Sequence, residues 1–93
     1  MNASQLRERL TKNLLDEIGQ VQFPSVTMLN RLEGMLGSAD ELGDYAELLV
    51  EKVEATRFPS ISMLNRIDGV IARLEQAEEA EREEAERERA EAA

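Results

Sequence analysis

Twelve residues of this 93-residue chain, FPSVTMLNRLEG at 23–34, recur as FPSISMLNRIDG at 58–69. Eight of the twelve are identical, and the other four exchange like for like. The offset of 35 extends backwards: LLDEIGQVQFPS at 14–25 aligns with LVEKVEATRFPS at 49–60. A duplicated unit constrains a short chain more than any single motif, because both copies are expected to adopt one local structure and bury one face. Each copy reads as helix, short connection, helix. Proline biases the phenylalanine before it to an extended conformation, and the serine after it is a good N-cap. Ser25 and Ser60 are therefore expected to open the second helix of each copy.

The first helix is expected from Ser4 to Gln20, with Leu6, Leu10, Leu14, Ile18 and Val21 along its apolar side. The second should run from Val26 to Leu36 and stop at Gly37, a plausible C-terminal cap. Two starts compete for the third. SADE at 38–41 and DYAE at 44–47 both have capping-box spacing, and Gly43 argues for the later one. This helix should reach Thr56 and bury Tyr45, Leu49 and Val53. The fourth starts after Ser60 and meets no stop signal. On a helical wheel, Leu29, Leu32 and Leu36 fall on one side with Met28 and Met35 beside them. Leu64, Ile67, Ile71, Met63 and Val70 repeat that pattern, and Leu74 extends it.

The expected fold is all-α: two tandem helical hairpins forming a small pseudo-two-fold four-helix bundle, its last helix extended into an acidic tail. Two units are too few for an open superhelix, which usually needs three or more with capping ends. Residues 1–74 form the expected domain, from repeats 4–37 and 38–74. The tail, 75–93, is rich in Glu, Ala and Arg, with Glu-to-Arg pairs four apart such as Glu78–Arg82 and Glu83–Arg87. Lacking a leucine stripe, it is expected to be a solvated continuation of the fourth helix that frays toward Ala93.

Charge and composition narrow the function. The net charge is −9, and it is unevenly placed. Residues 1–74 carry eight basic and eleven acidic side chains, whereas 75–93 carry three basic and nine acidic. Such a chain is repelled by phosphate backbones and anionic lipid. With no cysteine and no histidine, it lacks thiolate chemistry, the commonest metal ligand and the commonest general base near neutrality. Its glycines are scattered singly, so there is no phosphate loop, and no acidic spacing matches a calcium loop. Ser25 and Ser60 have no base beside them. The expectation is a protein that is not an enzyme and takes no cofactor, metal or small-molecule substrate. No apolar run reaches the roughly 18–20 residues of a membrane span, and the N-terminus has no signal-peptide core, which points to the cytoplasm. Nine arginines to two lysines suit a GC-rich genome, bacterial or phage.

The repeat also keeps letters that a core does not need. Thr27, Asn30, Arg31 and Gly34 stand at i, i+3, i+4 and i+7, opposite the leucines, and Ser62, Asn65, Arg66 and Gly69 are their counterparts. Glycine inside a helix costs about 1 kcal/mol relative to alanine. Its recurrence suggests close approach of something to the backbone. The stripe is either packed inside the molecule or is a surface for a protein partner or second subunit. A core this thin is often supplemented by self-association, so a homodimer is expected. The eight stripe residues are thus candidate partner-binding residues.

Two alternatives differ in class. LLDEIGQVQFPSVTMLNRLEG at 14–34 resembles the helix-turn-helix of winged-helix regulators, in which a glycine-marked turn precedes a recognition helix. That resemblance implies a DNA-binding regulator, with Thr27, Asn30 and Arg31 turned toward base edges. The second copy lacks the turn glycine, no alternating strand pattern supplies a wing, and Glu33 and Asp68 flank the reading face. The other alternative is an acidic inhibitor, antitoxin-like, that occupies a basic site on a partner protein.

Overall fold

A computed structural model describes residues 1–92; Ala93, where the tail was expected to fray out, lies outside them. Among the described residues the protein is all-helical, with four helices and no strand. They are α1 (Ala3–Gln20), α2 (Val26–Glu33), α3 (Ala39–Glu54) and α4 (Ile61–Ala92). The chain divides into two compact units, one from Met1 to Leu36 with α1 and α2, the other from Gly37 onward with α3 and α4.

Local chemistry sets the helix starts. Asn2 caps α1 in a reciprocal box: its side-chain oxygen accepts from the Gln5 N–H at 2.9 Å, and Gln5 Oε1 accepts from the Asn2 N–H at 3.0 Å. Ser38 and Glu41 do the same for α3, at 3.2 and 3.3 Å. The earlier of the two expected starts is therefore the one used, with Gly43 inside the helix. Ser25 Oγ accepts from the Met28 N–H and Ser60 Oγ from the Met63 N–H, both at 3.1 Å. Both serines act as the expected caps.

Helix α2 is shorter than expected. It ends at Glu33, and Gly34 is its C-cap, with φ −70° and ψ −15°. The Met35 N–H then bonds to the Leu32 carbonyl at 2.9 Å, a tightened last turn, and the chain leaves the helix. The equivalent stretch of α4 continues without a break. The two sequences differ where Gly37 is replaced by Ala72, removing the second glycine, and the next residues of α4 are strong helix formers.

Each unit buries its own set. In the first, Ile18, Leu29 and Leu32 are completely buried, and Leu36 nearly so. Thr11 joins them, its hydroxyl donating to the Arg7 carbonyl at 2.9 Å. In the second, Leu42, Tyr45, Ala46 and Leu49 of α3 are buried with Ile67 and Val70 of α4. Residues Met63, Ile67, Val70, Leu74, Ala77 and Glu81 of α4 are spaced alternately four and three apart, and each of the first five is buried or half-buried. Ala39, Leu42, Ala46, Leu49 and Val53 show the same alternation on α3. This is the spacing that keeps one seam of each helix facing its neighbour. Leu64 and Ile71, expected in the core, sit off that seam and are 40% and 37% exposed. The seam is antiparallel: Leu74 lies by Gly43, and Glu81 Oε2 accepts from the Ala39 N–H at 2.8 Å.

Candidate functional site

The repeated polar stripe lies at the surface. Thr27, Asn30, Arg31 and Gly34 are exposed, as are Ser62, Asn65 and Gly69, while Arg66 is half-buried. The close backbone approach expected at the glycines is not found among the described residues. A Cβ built on Gly69 would meet no atom within 4 Å. One built on Gly34 would meet the carbonyls of its own turn, Arg31 at 3.6 Å and Asn30 at 3.7 Å. Because Gly34 is a C-cap, the helix-interior cost of glycine applies to Gly69 alone.

A larger feature forms around three of these residues. α1 supplies Ala3, Leu6, Arg7 and Leu10 to a shallow, mainly apolar groove, and Asn30, Arg31, Gly34 and Met35 form its other wall. Leu6 is 52% and Leu10 48% exposed, although both were expected in the core. Helix lengths explain why. At about 1.5 Å per residue, the eight residues of α2 cannot cover the eighteen of α1, so the N-terminal half of α1 is left bare. All of residues 1–10 are exposed.

The charge of the groove is one-sided. Its lining contains two arginines and no carboxylate, in a chain with nearly twice as many acidic as basic residues. Arg31 lies in the last turn of α2, where the carbonyl end of the helix favours a cation. Asn30 adds an amide at the rim. Chemically, the groove can bury aliphatic side chains along the leucines and hold carboxylates at the two guanidinium groups.

The second copy differs at the equivalent place. The counterparts of Arg7 and Leu10 are Leu42 and Tyr45, both buried. The structure thus puts Asn30, Arg31 and Gly34 beside an open apolar surface and leaves Thr27 off it, while Ser62, Asn65, Arg66 and Gly69 lie along α4.

Another pair of surface residues went unread in the sequence. Phe23 is 80% and Phe58 83% exposed, with Val26 and Ile61 exposed three residues on. The Arg57 guanidinium stands over the Phe58 ring, 5.6 Å from its centroid. The signal was available: Phe recurs in both copies just outside the helical period of the core.

Among the described residues, no three acidic side chains gather as a metal site, and no buried side-chain polar atom lacks a partner. No described helix is long and apolar enough to cross a membrane. No protein-family model, curated protein or solved structure matches the chain.

Proposed function

We propose that this protein is a non-enzymatic protein–protein interaction module that self-associates, and that its contact surface is the groove between α1 and α2. The observation that carries this reading is the pair of half-exposed leucines, Leu6 and Leu10, beside Asn30, Arg31 and Gly34. Apolar side chains gathered in a surface groove with a polar rim offer a partner area to bury and groups to orient it. The pseudo-two-fold four-helix bundle belongs to the same proposal; the 35-residue repeat supports it. Of the eight stripe residues, the groove favours Asn30, Arg31 and Gly34 as contacts.

The test is the mass in solution by light scattering on a sizing column, over a range of concentrations. The wild type should associate. Leu6→Asp with Leu10→Asp changes two exposed positions, so helical circular dichroism should be kept while association is lost. A wild type that stays monomeric, or an association that survives the double substitution, refutes this reading.

A further inference from the structure

The inference rests on the groove reading and names what fills the groove. We infer that its occupant is the acidic end of α4, residues 82–92, from a second copy of this chain.

The second unit shows how this kind of surface is covered. Leu42 and Tyr45, the counterparts of Arg7 and Leu10, are buried, and α4 lies along α3 by the seam Val70, Leu74, Ala77 and Glu81. Glu81 is the last member of that seam, bonded to the Ala39 N–H at the start of α3. Carrying the same alternation onward gives Glu84, Glu88 and Glu91, with Ala85 and Ala92 beside them. One side of the tail is therefore a row of three carboxylates, flanked by Ala85 and Ala92 on one edge and by Arg87 on the other, with Arg82 and Arg89 on the far side. It continues the side that already packs on a helix. Ala side chains allow a neighbouring helix close, and the carboxylates match a rim that holds Arg7 and Arg31 and no acid.

The choice of a second copy follows from two further facts. Residues 78–92 are all exposed, and so are Leu6, Arg7, Leu10, Asn30 and Arg31. Each half of the match is thus an uncovered surface of its own unit. Pairing two grooves face to face would bring each arginine pair against its own copy, and like charges across an interface cost affinity. Pairing groove with tail puts opposite charges together, and a reciprocal exchange closes as a two-fold dimer.

Charge reversal tests the pairing on the full chain. Light scattering would compare the wild type with a groove variant, Arg7→Glu with Arg31→Glu, a tail variant, Glu84→Arg with Glu88→Arg and Glu91→Arg, and the combination of the two. All these side chains are exposed. Circular dichroism on each variant checks that the helices persist. The wild type should have about twice the 10.5 kDa chain mass, and added salt should weaken it. Each single set should weaken association by at least about tenfold, and the combination should recover it, since buried charge pairs at interfaces couple this strongly. A monomeric wild type overturns the inference. So does a tail variant that still dimerises, or a folded combination that does not recover. If the tail variant dimerises while Leu6→Asp with Leu10→Asp does not, the groove reading stands and the tail is not its occupant.

Discussion

The two units start from nearly the same sentence and finish differently. In the second, α4 runs on for 32 residues and accompanies α3 to its first turn. In the first, α2 stops after eight, and the first ten residues of the chain stay exposed. The difference traces to a few letters after the shared glycine: Met35, Leu36, Gly37 and Ser38 against Val70, Ile71, Ala72 and Arg73. Gly37 and Ser38 end one helix and cap the next; Ala72 and Arg73 prolong theirs. Two similar sequences thus give one unit whose first helix is covered and one whose first helix keeps an exposed N-terminal half. Sequence identity fixed the caps of both second helices, whereas length decided which surface remained available.

Truncating side chains at equivalent positions should separate the two units most. Tyr45 is completely buried, and Tyr45→Ala should cost about 3–5 kcal/mol, as large aromatic-to-alanine changes in a core do. That is a large share of the stability of a small domain. Leu10→Ala, 35 residues earlier, removes a half-exposed side chain and should cost under about 1 kcal/mol in the monomer. Urea titrations followed by circular dichroism measure both. Similar costs would mean that the groove is covered in solution, either by association or by a rearranged α1.

A smaller effect locates the end of the second unit. The sequence suggested that the ordered body ends near Leu74, but Ala77 is half-buried and Glu81 bonds to the start of α3. Truncation after Gln76 should therefore lower stability by about 1–2 kcal/mol, combining a lost apolar contact with a lost carboxylate at a helix N-terminus. Truncation after Glu81 should leave the melting midpoint of the remainder within a few degrees. These melts belong at low protein concentration, where dissociation does not contribute. Equal midpoints for the two truncations would show that residues 77–81 are bystanders.

Much of the fold was legible because it rests on local rules. The four helices, the serine caps and the leucines of α2 follow from spacing and cap chemistry within a few residues. What failed depended on partners. Leu6 and Leu10 have the spacing of core residues, and only the shortness of α2 leaves them out. Leu64 and Ile71 lie on a plausible apolar side, but α4 turns another seam to α3. The choice between Ser38 and Asp44 needed the reciprocal bonds of Ser38 and Glu41 to settle it. A wheel gives the width of an apolar side. It does not say how much of that side a neighbour is long enough to reach.

The glycines provide the finest comparison, since Gly34 and Gly69 are the same letter of the repeat in different settings. Gly69 lies inside α4, exposed, with open space where a Cβ would go. Gly69→Ala should stabilise the protein by about 1 kcal/mol, the difference in helix propensity, with no steric penalty to offset it. Gly34 is a C-cap with a negative φ, so alanine fits its backbone and meets only its own turn at ordinary contact distance. Its gain comes mainly from a less flexible unfolded chain, about 0.4–1 kcal/mol at most. Gly34 also lines the groove, whereas nothing is seen to approach Gly69. Chemical denaturation should rank the two variants in that order, and light scattering should find association disturbed only by substitutions larger than alanine at position 34. Loss of stability in Gly69→Ala would mean that a neighbour does approach that backbone. The recurrence of glycine at 69 would then be explained by that contact.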